Sequence, residues 1–329
     1  MNSANDQDKG RNMASIAILD DYQGVALTMA DWTNLAKLHR LQVFRQPFNS
    51  QDQTAAALAG FEIVCLMRER TPFPAALIHR LPKLKLCVTT GLRNAAIDVA
   101  AATAGGVMVC GTPSGGHATA ELAFGLMLSI ARHIPFEAQA MRTGGWQTTV
   151  GQDLKGKTLG ILGLGKLGSQ LSTYARAFGM TVIAWSQNLT AEKAAECGAT
   201  LVSKDELFRR SDFISIHSVL SDRTRGMVGA AELGAMKPTA AIINTSRGPI
   251  IDGDALLAAL RENRIAAAAL DVYEEEPLPW EHPLRKEPRA LLTPHLGYVT
   301  EETYRMFYGG TVAAIEAWLA GKPIHQIAG

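Results

Sequence analysis

Thr158-Leu159-Gly160-Ile161-Leu162, followed at once by Gly163-Leu164-Gly165-Lys166-Leu167-Gly168, carries the strongest structural signal in the chain. The first five residues are a short apolar run of strand character, and from Leu167 to Phe178 the apolar residues return at helical spacing. Between the two, the glycines stand where a strand must turn sharply into a helix. Gly163 permits the tight turn, Gly165 lets backbone approach a diphosphate, and Gly168 lets the helix lie close on the strand. The N–H groups and positive dipole end of the helix, at Lys166 and Leu167, then attract the diphosphate. The glycine pattern alone is weak; strand, spacing and helix together predict a dinucleotide-binding unit.

The next strand, Thr181 to Trp185, ends in Ser186-Gln187-Asn188. An acidic residue at this point binds the adenosine ribose and repels a 2′-phosphate. Ser186 and Gln187 carry no charge, so the cofactor is expected to be NAD or NADP, with a slight lean to tolerance of NADP. Lys193 is the nearest cation along the chain.

On the N-terminal side, strand-like runs occur at Ile16 to Leu19, Phe61 to Met67, Leu84 to Thr90 and Val107 to Cys110. On the C-terminal side they recur at Phe213 to His217, Ala241 to Thr245, Ala266 to Val272 and Leu291 to Pro294. Helical stretches separate them, and strict alternation predicts parallel sheets covered on both faces. The alanine-rich segment from His117 to Arg142 reads as one long helix, and Glu301 to Leu319 as a closing one. The expected fold is α/β, with two doubly wound parallel-sheet domains. One comprises residues 14–115 and 296–329; the other, dinucleotide-binding, is inserted at 116–295. Two chain crossings form a natural hinge, through which such domains close over substrate. Residues 1–13 show little apolar periodicity and read as a disordered leader.

With 329 residues, 47% hydrophobic and 19% charged, the chain has enough apolar material for two cores. Lysine plus arginine (32) nearly cancels aspartate plus glutamate (31), leaving no single-sign field to gather nucleic acid or coat an anionic membrane. No apolar run reaches the roughly 20 residues of a membrane span. Cys65, Cys87, Cys110 and Cys197 form no CxxC pair and read as buried thiols of a reducing compartment, which makes the cytoplasm the expected location. His117 and Glu121, one helical turn apart, lack a third metal ligand, and no metal is expected.

Three later strands run into polar segments: Asn244-Thr245-Ser246-Arg247-Gly248, Asp271-Val272-Tyr273-Glu274-Glu275-Glu276-Pro277 and Thr293-Pro294-His295-Leu296-Gly297. In this order after GxGxxG, the chain resembles the D-isomer-specific 2-hydroxyacid dehydrogenase family, whose members read like NTSRG, DVFxxEP and TPHxG. The resemblance runs from about Ser15 over nearly the whole chain. It implies a Rossmann domain inserted into a flavodoxin-like substrate domain, with Arg247, Glu276 and His295 catalytic. It also places Thr245, Asp271 and Gly297 beside the cofactor, and His217 at the cofactor cleft.

The chemistry independently asks for these three groups. Oxidising a 2-hydroxy acid needs a base for the hydroxyl proton, and a histidine titrates near neutrality and serves both directions. A carboxylate beside it favours imidazolium and orients the ring. An arginine fork binds the substrate carboxylate and polarises the C2 oxygen. Of the three glutamates in the acidic run, only Glu276 precedes the proline as the family does; Glu274 and Glu275 read as solvated charges.

In the family a glycine loop of the first domain holds the substrate carboxylate. Here it reads Thr90-Gly91-Leu92-Arg93-Asn94, with Arg93 in place of the second glycine, so Gly91 and the N–H groups near Leu92 and Arg93 are the expected carboxylate site. Arg68 matches an arginine near substrate in the phosphoglycerate dehydrogenase branch. The expected substrates are 3-phosphoglycerate, hydroxypyruvate or glyoxylate. The resemblance also implies a homodimer through the 117–142 region. The alternatives are a formate dehydrogenase, which pairs its histidine with glutamine, and an NAD(H)-sensing corepressor of the same fold, marked by a disordered tail with interaction motifs.

Overall fold

The computed structural model describes residues 13–328. Of the expected leader, residues 1–12 lie outside the described residues. The described residues up to Gly115, together with those from Thr300 onward, form one compact unit, and Gly116–Val299 form the other.

The first unit is built on five parallel strands, β1 (Ser15–Ile18), β2 (Arg40–Val43), β3 (Ile63–Leu66), β4 (Leu86–Thr89) and β5 (Met108–Gly111), in the order β2-β1-β3-β4-β5. The interior strands β3 and β4 are buried along their whole length, as unbroken apolar runs predict. β2 is absent from the expected strands, for a physical reason. It is an edge strand, pairs only with β1, and alternates apolar with polar residues as Arg-Leu-Gln-Val. The helix Glu301–Leu319 packs on β4 and β5, and the tail beyond it returns to the sheet, Ile327 N–H donating to the Val109 carbonyl at 2.8 Å.

The second unit carries seven parallel strands: β6 (Thr158–Leu162), β7 (Thr181–Trp185), β8 (Thr200–Leu201), β9 (Phe213–Ile216), β10 (Ala241–Asn244), β11 (Ala267–Leu270) and β12 (Ala290–Leu292). Their order is β12-β11-β10-β9-β6-β7-β8. Alternate residues supply separate cores on the two faces. Ile214, Ile216 and Ile242 join one, and Phe213, Ala241 and Ile243 the other. The two-residue edge strand β8 is too short to leave a periodic signal.

The single helix expected from His117 to Arg142 is in fact two, Ala118–Ala131 and Ile134–Arg142. Pro135 has no N–H to offer the Ala131 carbonyl, which accepts from Gln152 N–H at 2.8 Å instead. His133, at φ 51°, turns the chain between the two helices.

Candidate active site

The strand order of the second unit reverses between β6 and β9, the point at which open α/β sheets take ligands beyond their carboxyl ends. Gly163 follows β6 at φ 106°, and a Cβ there would run into the backbone of His217 and Ser218. A Cβ on Gly168 would strike the Gly163 carbonyl and Ile161, so the helix Lys166–Ala177 rests directly on its strand. Gly165 faces open space and N-caps this helix, and no side chain caps the turn that begins at Lys166 and Leu167. Ser186 Oγ accepts the Leu164 N–H at 3.0 Å, which ties the end of β7 to the glycine turn, while Gln187 is exposed. Lys193 pairs with Glu196 on its own helix at 2.8 Å.

At the end of β9, His217 Nε2 lies 2.8 Å from Ser215 Oγ, and its Nδ1 is buried without a partner. Burial pushes the ring down to about 4, so it is neutral at pH 7. Thr245 Oγ1, just past β10, is likewise buried and unpartnered. Two orphaned polar atoms beside a bare helix end and a glycine cradle fit a dinucleotide.

The polar segments after β10, β11 and β12 meet in one place. Asn244, buried at the end of β10, accepts the Ser246 N–H at 3.0 Å and donates to the Arg247 carbonyl at 2.9 Å, folding the loop that presents Arg247. Arg247 Nη1 donates to the Ser246 carbonyl at 2.7 Å. A Cβ on Gly248 would strike the backbone of Tyr273 and Glu274, so glycine is what lets this loop close on the one after β11.

Asp271 is fully buried. Its Oδ1 accepts Thr293 Oγ1 at 2.6 Å and Leu296 N–H at 2.7 Å, and its Oδ2 accepts Gly297 N–H at 2.8 Å. Burial raises this carboxyl above the ordinary range in spite of those bonds. Asp271 therefore shapes the 293–297 turn, in which His295 takes the left-handed φ of 54°. His295 Nδ1 lies 2.6 Å from Glu276 Oε2, and Glu276 Oε1 accepts the Tyr273 N–H at 2.9 Å. For Glu276, burial opposes the charge. The hydrogen bond and charge of His295, the Tyr273 N–H and the Arg247 charge outweigh it, and the carboxyl is held below its ordinary range. Glu274 and Glu275 are exposed. The side chains of His295 and Glu276 remain 21% and 31% exposed, so the pair is open to a small solute. With Nδ1 engaged, Nε2 is the ring nitrogen left to exchange a proton.

In the first unit, Arg68 also adopts a left-handed conformation, φ 52°. Its N–H donates to Thr90 Oγ1 and its Nη1 to the Thr90 carbonyl, both at 2.8 Å, while its own carbonyl accepts Asn94 Nδ2 at 2.6 Å. The guanidinium lies over Gly91, at φ 88°, where any Cβ would strike it. Leu92 and Arg93 follow at the surface. Arg68, Gly91, Leu92 and Arg93 thus share one corner suited to an anion. His117 and Glu121 sit at the start of the helix Ala118–Ala131, and the described residues hold no group of three or more potential metal ligands.

Asn244, Gly248, Tyr273 and Thr293 were not singled out in the sequence. They lie within the three polar segments, but nothing local shows that they tie those segments together.

A dinucleotide cradle beside a histidine–carboxylate pair and an arginine defines an NAD(P)-dependent oxidoreductase acting on a CH–OH group. The family model described as D-isomer specific 2-hydroxyacid dehydrogenase, NAD binding domain, matches residues 124–297. The chain belongs to the D-isomer-specific 2-hydroxyacid dehydrogenase family. It is 42% identical over 237 residues to the glyoxylate reductase of Aeropyrum pernix, covering 69% of this chain and 71% of that one. It is 40% identical over 240 residues to the D-3-phosphoglycerate dehydrogenase of Synechocystis, covering 72% of this chain but only 43% of the relative. The crystal structure of a phosphoglycerate oxidoreductase from Vibrio cholerae superposes with a TM-score of 0.90 at 36% identity, over 94% of this chain and 100% of that one.

Proposed function

We propose that the protein reduces a small 2-oxo acid of the glyoxylate, hydroxypyruvate or 3-phosphohydroxypyruvate type to the D-2-hydroxy acid, and catalyses the reverse oxidation. The observation that carries this reading is the 2.6 Å contact between His295 and Glu276 beside Arg247. The Gly116–Val299 unit is the dinucleotide domain and the other unit the substrate domain. Gly163, Gly165, Lys166, Leu167 and Gly168 would hold the diphosphate, Ser186 and Gln187 the adenosine ribose, and His217, Thr245, Asp271 and Gly297 the rest of the cofactor. When bound, the nicotinamide supplies or accepts the hydride. His295 Nε2 gives the proton to the C2 oxygen in reduction and takes it back in oxidation. Glu276 orients the ring through Nδ1, and Arg247 polarises the oxygen and holds the carboxylate. Arg68 and the N–H groups at Leu92 and Arg93 offer a second set of anion contacts, while the Gly91 N–H donates to Thr112 Oγ1 at 2.9 Å and shapes the corner instead. Glutamate rather than glutamine beside the histidine speaks for hydroxy acid chemistry over formate oxidation.

A panel of glyoxylate, hydroxypyruvate and 3-phosphohydroxypyruvate, each with NADH and NADPH, tests the reading. Turnover of at least one is expected; no turnover of any would overturn it.

Glu276→Gln tests the pair. Reduction needs the imidazolium, and removing the neighbouring negative charge makes that form less favoured, so activity should fall off at a lower pH than in the parent. A carboxyl held below its ordinary range stabilises the fold above that range and loses the contribution as pH falls through its lowered value. The melting temperatures of parent and variant should therefore converge in acid. Overlapping pH–rate profiles would remove Glu276 from the role.

The assembly we infer is a homodimer. The helix Ile134–Arg142 has no buried residue, and from there to Val150 the chain exposes Ile134, Phe136, Met141, Trp146 and Val150, an apolar strip that water disfavours. Light scattering should return twice the 35.3 kDa chain mass at micromolar concentration; the monomer mass would refute the inference. No described helix is long and apolar enough to cross a membrane, and the four cysteines are free thiols, which supports a reducing, cytoplasmic location.

A further inference from the structure

We propose that Tyr273 is a positioning residue for the His295–Glu276 pair, acting through its hydroxyl, which bridges the ends of β11 and β12; the proposal rests on the reading of that pair given above. The phenolic oxygen lies 3.0 Å from the Leu270 carbonyl at the end of β11 and 2.9 Å from the Thr293 carbonyl just past β12. Its single proton is shared between them. Burial and the negative charges of Asp271 and Glu276 raise its pKa, so it stays a donor.

Both carbonyls belong to the frame of the histidine turn. The Thr293 carbonyl accepts the N–H of His295 itself at 3.1 Å, and the Leu270 carbonyl accepts the Thr293 N–H at 2.9 Å. A left-handed, non-glycine residue keeps its conformation only where its surroundings hold it, and the hydroxyl is one of the groups that do. At its other end the same residue donates its N–H to Glu276 Oε1 at 2.9 Å. Tyr273 therefore grips Glu276 through its backbone and the His295 turn through its side chain. A phenylalanine here would supply ring and N–H but not the link between strands.

Tyr273→Phe in the full chain removes that link alone and leaves the ring to fill its place. Asp271, Glu276 and Arg247, whose charges act on this pair, and the solvated Glu274 and Glu275 of the same loop are unchanged by it. Two readouts apply: NMR titration of the His295 ring in protein labelled with 15N-histidine, and the pH profile of glyoxylate reduction with NADH. A hydrogen bond typically contributes about 1 kcal/mol, so kcat should fall roughly fivefold, with KM for glyoxylate and Kd for NADH nearly unchanged. The ring should titrate at a lower pH than in the parent, because a loosened Glu276 favours imidazolium less. In a Glu276→Gln background Tyr273→Phe should not shift the titration further. A titration that overlays the parent's, or the same shift persisting without Glu276, would overturn the proposal and leave the hydroxyl a purely structural tie. The NMR arm needs no turnover, so a parent inactive on every 2-oxo acid would overturn the proposed function while Tyr273 is still tested.

Discussion

His295→Ala should lower kcat for 2-oxo acid reduction by about 100- to 10,000-fold, the usual range for removing a positioned proton donor, while leaving NADH affinity nearly intact. The expectation follows from the geometry. Glu276 holds Nδ1 at 2.6 Å, so Nε2 is the one ring nitrogen left for the C2 oxygen. The residue also occupies a left-handed position, where alanine is strained, so part of the loss with alanine will come from the turn itself. His295→Asn separates the two effects, because asparagine tolerates that conformation and still cannot carry the proton. Steady-state kinetics should show both variants strongly impaired, alanine more than asparagine by the share that comes from the turn, and fluorescence titration should show both binding NADH like the parent. An asparagine variant with more than a tenth of parental kcat would strip His295 of its role.

Arg247→Lys should cost about 10- to 100-fold in kcat/KM, divided between a higher KM for the 2-oxo acid and a lower kcat. Lysine keeps the positive charge that helps hold Glu276 ionised, so the pH profile should move little. What it loses is the planar fork, and with it one charge-assisted bond worth about 1.5–3 kcal/mol. The loop itself should survive, since Asn244 grips the carbonyl of residue 247 rather than its side chain, and Gly248 still clears the Tyr273 backbone. Unchanged KM and kcat with lysine would mean that the fork does not touch substrate. A matching change in NADH affinity would mean that the arginine serves the cofactor instead.

Much of this architecture is legible along the chain because its signals are local. β6, the glycine turn and the helix Lys166–Ala177 are contiguous, and the backbone freedom of Gly163 and the absent side chain of Gly168 act within six residues. The interior strands are buried on both faces and therefore read as apolar runs. The edge strands β2 and β8 do not, since one neighbour and a solvated face require no such run. The break at His133 follows from Pro135, a residue the alanine-rich periodicity on either side conceals.

The active site divides along the same physical line. Composition and position at strand ends make Arg247, Glu276 and His295 candidates, and the family resemblance selects among three consecutive glutamates. Only the packed structure shows Glu276 on His295, with Glu274 and Glu275 turned to solvent. The parallel register of β11 with β12 sets Leu270 beside Leu292, and so brings Asp271 and Tyr273 to Thr293 across about 20 residues of intervening chain. The sequence by itself determined the elements and the residue types at their ends, because helical and strand periods and glycine turns are short-range physics. Tertiary structure alone decided which of those ends meet, that Asp271 shapes the histidine turn, and that the Tyr273 hydroxyl spans two strands, because those contacts exist only once distant strands lie side by side.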